Sequence, residues 1–188
     1  MPGLNQIAAS IYGACRLARL DRSGMSYFDT SLAGVWQSFF AAVLIAPFYA
    51  LLLAIRFPLT GGTVDPLHFA LAEAVAYVLS WVAFPVVMAS LTQTMGCWDR
   101  FPAYLVAYNW SLVVQNAVFL PIGLLGATGI IPADAATFLW LLALVAVVVY
   151  IWFIARTALE LPPFTCAGIV LLDIALSFLI SATADSLY

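Results

Sequence analysis

The sequence has no lysine, and its one histidine is His68. Its six basic residues are all arginines. They are too scattered to form the basic stripe that a phosphate backbone requires, so no nucleic-acid partner is expected. A single imidazole excludes a histidine cluster within one chain, whether for a metal or for haem. The three cysteines, Cys15, Cys97 and Cys166, are odd in number and lack CxxC spacing. That excludes a disulfide framework and a cysteine metal site. Also missing are a GxSxG nucleophile turn, an HExxH zinc motif and a glycine-rich phosphate loop. The expectation is a chain that is not an enzyme, with no catalytic residue, no cofactor and no metal. Charge is scarce altogether: 8% of the 188 residues are charged, against about 25% in a soluble domain.

What is present is hydrocarbon. Hydrophobic residues make up 65% of the chain, and its mean hydropathy is +1.09. A soluble core of this size could not absorb that surplus, so the solvent for much of the surface must be lipid. A spanning helix needs about 20 mostly apolar residues. Five stretches meet that requirement, at about 33–55, 67–91, 102–127, 135–155 and 162–184. The fold class that follows is all-α, a polytopic helix bundle. A turn at "GGTVDP" separates the first two spans. Asp134 is placed to N-cap the fourth, and "PP" opens the fifth, where proline is tolerated. Pro47 and Pro85 suggest kinks near mid-depth in spans one and two. Short loops make sequential helices antiparallel neighbours.

Residues 1–26 form a separate amphipathic segment ahead of the bundle at 27–188. In "LNQIAASIYGACRLARL" the residues Leu4, Ile7, Ile11, Ala14 and Ala18 recur at helical spacing. Such a helix lies along a membrane interface or docks on its own bundle. No small-residue cleavage site follows Arg16, Arg19 and Arg22, so the chain is expected to keep its N-terminus. With the N-terminus in the cytoplasm, those three arginines lie inside together with Arg100 and Arg156. Only Arg56 then lies outside. The asymmetry gives a cytoplasmic N-terminus and a periplasmic C-terminus in a bacterial inner membrane. The all-arginine, alanine-rich composition points to a GC-rich bacterial genome.

Polar groups within spans are expensive and therefore informative. Asp173 stands at the centre of "CAGIVLLDIALSF". A carboxylate at that depth costs about 2.5–3.5 kcal/mol on insertion scales. Cys166, Asp173, Ser177 and Ser181 share roughly one helix face, which should turn inward. No arginine in a span can neutralise Asp173. It is therefore protonated and donating a hydrogen bond, or ionised beside water. A structural interhelical bond, a proton or ion site and an intersubunit contact all remain open for it. Span three supplies Tyr108, Asn109, Ser111, Gln115 and Asn116, and is expected to be central. Glu73, about two turns into span two, shares its face with Tyr77, Ser80 and Phe84. The candidate buried polar or proton set is Asp173, Glu73, Asn109, Gln115, Asn116 and Tyr108.

Two stretches carry a resemblance to a known family. One is "GCWDRFPAYLVAYNWS", residues 96–111, a polar turn leading into an aromatic span. The other is "ARTALELPPFTCAGIVLLDIAL", residues 155–176, a polar turn leading into a small-residue final span. With five spans and an inward N-terminus, the layout resembles the Yip (Ypt-interacting protein) domain family. The stretch "YFDTSLAGVWQSFF", residues 27–40, is similar to the entry of span one in uncharacterised alphaproteobacterial membrane proteins. The resemblance implies a five-span bundle and transfers no catalytic residue. The aspartate-rich signature ahead of span one in eukaryotic members is missing, so a role in small-GTPase trafficking does not carry over.

The leading functional expectation is a non-enzymatic inner-membrane scaffold or accessory subunit. Its partners are the lipid bilayer and either a second copy, as a homodimer, or a larger membrane complex. The alternatives are a small proton-coupled transporter or channel that uses Asp173, and an anchor subunit of a redox complex with His68 at a shared cofactor.

Overall fold

A computed structural model describes residues 2–60 and 64–187, so part of the expected turn at 61–66 lies outside the described residues. The architecture is all-helical, and no strand occurs among the described residues. An N-terminal helix α1 (Leu4–Ala18) leads through a 3-10 turn at Arg22–Tyr27 into α2 (Leu32–Ser38) and α3 (Phe40–Arg56). Then follow α4 (Pro66–Thr94), α5 (Phe101–Ala127), α6 (Ala133–Ala158) and α7 (Pro163–Asp185). Together α2 and α3 make one span. With α4, α5, α6 and α7 the molecule has five helices long and apolar enough to cross a membrane. It has the make-up of a multi-pass membrane protein.

Local chemistry sets the helix ends. Ser31 accepts from the Gly34 N–H at 3.1 Å and starts α2. Asp65 accepts from the His68 N–H at 2.9 Å and starts α4, with Pro66 at its first position. Gly96 and Gly129 take φ of 69° and 70° just past α4 and α5, where only glycine turns the chain at no steric cost. Asp134 does not cap α6. That helix starts two residues earlier, at Ala133 with Pro132 at the cap, which leaves Asp134 in the first turn beside the positive end of the dipole. The interruption in the first span falls at Phe39, between α2 and α3, whereas Pro47 and Pro85 both sit inside continuous helices.

α5 is central and touches α1, α2, α3, α4 and α6, while α7 packs against α4 and α6. The tightest core lies in one half of the bundle, where Trp110, Met88, Val106 and Ile154 are fully buried. Arginines ring that end. Arg100 pairs with Glu160 at 2.8 Å and also donates to the Leu159 carbonyl at 2.9 Å. Arg156 donates to the Leu161 carbonyl.

α1 docks on this same end, against α5 and α6. The Tyr150 hydroxyl donates to the Ala14 carbonyl at 2.8 Å, and Ala14 and Leu17 are fully buried. Leu4 and Ala18 of the expected apolar stripe are exposed, and the buried face is Ser10, Gly13, Ala14 and Leu17. The reason is steric. A Cβ on Gly24 would stand 2.5 Å from the Gly13 carbonyl oxygen, and one on Gly13 would stand 2.8 Å from that of Gly24. Two glycines let the 3-10 turn lie directly on the helix, so smallness rather than hydrophobicity selects the contact face. Arg16 Nε closes this clasp by donating to Asp21 at 2.8 Å. Two hydrogen bonds from Ser23, with the Arg16 guanidinium beside them, hold the Asp21 carboxyl down to about 2. It therefore stays ionised well below the ordinary carboxylate range.

Gly24→Ala should lower the unfolding free energy by about 1–3 kcal/mol through overpacking against backbone. Gly168→Ala, where an added Cβ meets nothing within 4 Å, should raise it by about 0.5–1 kcal/mol through helix propensity. Thermal unfolding in detergent micelles reads both changes.

Candidate functional site

In lipid a polar side chain must find its partner inside the bundle. Asp173 of α7 finds Tyr108 of α5, whose hydroxyl donates to the carboxylate at 2.8 Å. Tyr108 is buried and held on two sides, by the Phe84 ring at 4.8 Å and the Tyr104 ring at 6.0 Å. Asp173 itself is half-buried and makes no ion pair among the described residues.

Glu73 of α4 has a similar arrangement. It is buried, and the Tyr49 hydroxyl of α3 donates to it at 2.8 Å. Tyr49 stacks on Tyr77 with ring centres 5.1 Å apart, and Tyr77 donates to the Ala42 carbonyl at 2.7 Å. The backbones of α3 and α4 hardly approach, and these tyrosines bridge the gap between them.

Glu73 borders a cavity of about 310 Å³ bounded by α3, α4, α5 and α7, and Asp173 reaches it only through its partner Tyr108. Glu73, Tyr77 and Ser80 line it from α4, and Tyr108 and Asn116 from α5. Ser177 and Ser181 line it from α7, on the face that Asp173 shares. Asp173 itself stands behind Tyr108. Arg56 and Asp185, at the last residues of α3 and α7, complete the lining, so the cavity reaches the end of the bundle away from the arginine ring.

Span three does not present all its polar residues to this space. Asn109 is fully buried and donates through Nδ2 to Ser38 Oγ of α2 at 2.8 Å, and its Oδ1 has no hydrogen-bond partner. Gln115 donates to Ser111 Oγ of its own helix at 3.0 Å. Asn116 lines the cavity and bonds the Leu112 carbonyl at 2.9 Å. His68 lies exposed in the first turn of α4. The sequence reading had not singled out Tyr49 or Asp185. Tyr49 carried a usable signal, because a tyrosine deep in a span needs an acceptor and Glu73 was the nearest carboxylate in the neighbouring helix.

The chemistry available is acid–base and electrostatic. Each of two carboxylates accepts from a phenolic O–H and can hold a proton; Glu73 does so in a space open to one side, and Asp173 is joined to that space through Tyr108. No protein-family model matches this chain, and neither a curated protein nor a solved structure matches it.

Tyr108→Phe should cost about 1–2 kcal/mol of stability, because it leaves the Asp173 carboxyl without its donor. Asp173→Asn keeps an acceptor for Tyr108 and should cost less. Melting temperatures of the two variants in the same detergent test that order.

Proposed function

We propose that the chain is a non-enzymatic, proton-coupled transporter or channel for a cation, with Asp173 as the deep proton site and Glu73 as the outer one. The observation that carries the reading is convergence. Polar residues from four helices, distant in sequence, gather on one cavity instead of being spent separately as helix–helix glue. In the orientation drawn from the arginines, this cavity opens to the periplasm and the docked α1 lies at the cytoplasmic face of a bacterial inner membrane. The arginine-rich half, packed around Trp110 and Met88, is then the gate that must loosen for passage.

The leading expectation from sequence, a scaffold or accessory subunit, keeps one observation in its favour. The packed half is filled by fully buried side chains such as Trp110, Met88, Val106 and Ile154. The buried face of α1 is spent on the molecule's own helices, so a scaffold would dock through another surface. The likeness to the Yip domain family is compatible with either reading and assigns no residue to a task.

In proteoliposomes holding only this protein, an imposed pH gradient should drive cation-dependent proton flux. Asp173→Asn should abolish that flux, while insertion and elution volume stay unchanged. Undiminished flux in Asp173→Asn would remove Asp173 from the mechanism. Absence of flux, together with stoichiometric co-purification of a larger complex, would return the accessory reading.

A further inference from the structure

The outer faces of α3 and α4 carry a second feature. Ala46, Ala50 and Ala54 follow one another up α3 at every fourth residue, and Ala70 and Ala74 answer them on α4. Facing small residues normally let membrane helices close to contact. Here they do not. The stacked Tyr49–Tyr77 pair, and the Phe57–Phe69 pair at 5.2 Å, stand between the helices as pillars. They leave an apolar groove of about 650 Å³.

Tyr49, Glu73 and Tyr77 line this groove and also line the polar cavity. The wall between an apolar space and a polar one is therefore a carboxylate flanked by two stacked rings. Trp81 extends the aromatic surface, 6.2 Å from Tyr77 and on the cavity side. Negative charge beside aromatic faces is the chemistry that recognises a poorly hydrated organic cation. A small inorganic ion would want oxygen ligands in number, and a neutral lipid tail would leave Glu73 unused. An anion would meet two carboxylates, Glu73 and Asp185, against the one guanidinium of Arg56.

We infer that the groove between α3 and α4 admits a lipophilic organic cation, a quaternary ammonium or phosphonium with an apolar body, whose charge rests on Glu73 beside the stacked Tyr49–Tyr77 pair. The apolar body occupies the alanine-lined groove, and the charged centre faces the polar cavity. The inference rests on the reading of that cavity as a cation site and names its substrate class. It also supplies a route of entry, from the lipid side between α3 and α4.

Binding of radiolabelled tetraphenylphosphonium to the full chain in phosphatidylcholine nanodiscs tests it, with empty nanodiscs subtracted. Saturable binding is expected, and neutral triphenylphosphine oxide should not displace it. Glu73→Gln, which keeps an acceptor for Tyr49, should weaken binding by at least about tenfold. Tyr77→Leu should weaken it about fivefold, the scale of one cation–π contact. Ala74→Trp, on an exposed position that lines the groove, should block it sterically without disturbing the core. Binding that the neutral analogue displaces, or that survives both Glu73→Gln and Ala74→Trp, would overturn the inference. Saturable binding with no proton flux would keep this site and remove transport. Proton flux with no tetraphenylphosphonium binding would keep transport and remove this site.

Discussion

Tyrosine hydroxyls meeting carboxylates hold this bundle in its shape, and the bonds act as spacers as much as ties. A phenol is long. When Tyr108 of α5 reaches Asp173 of α7, the two helices are joined at arm's length, and α7 takes its close packing from α4 and α6 instead. The same device joins α3 to α4 through Tyr49, Glu73 and Tyr77. Hydrocarbon offers no water to replace these bonds, so the helices are held at the separation that the side chains dictate. The cavity and the groove are what that separation leaves behind.

The two ends of the molecule consequently differ in kind. At the arginine ring, small residues and glycines bring backbone against backbone, and large side chains fill the remainder to native density. Carbonyls at helix ends are met by Arg100 and Arg156. At the opposite end, aromatic pillars hold the helices apart and polar side chains face the space between them. One half is filled with side chains, and the other holds open space between its helices.

Much of this was legible in the sequence. Five apolar stretches gave five spans to within a few residues, because the hydrocarbon requirement is strong and local. The ends of α4 and α6 ran about three residues past expectation. The expected inward face of α7 holds only in part: Cys166 is buried, but Ser177 and Ser181 are exposed at the cavity, and Ile169 and Val170 take the buried positions. What could not be read was pairing between helices. Nothing in the local pattern of span one says that Tyr49 meets Glu73. The buried face of α1 was also hidden, because Gly13 and Gly24 win it through close approach and a hydropathy pattern gives no weight to smallness. Asn109 and Gln115 look alike in sequence beside Asn116, and only the packing of α2 and α5 separates them.

The anchoring of α1 has a consequence for how the chain is made. Its hydroxyl donor, Tyr150, is encoded 136 residues after the carbonyl it meets. At about 5–20 residues per second of synthesis, the ribosome adds that length in roughly 7–30 s. During that interval α1 lacks its α6 contact, while the spans up to α6 are still being made. Its basic flank must wait at the membrane surface until α6 arrives. α1 is therefore made well before the helix that fixes it and is among the last segments to reach its final place.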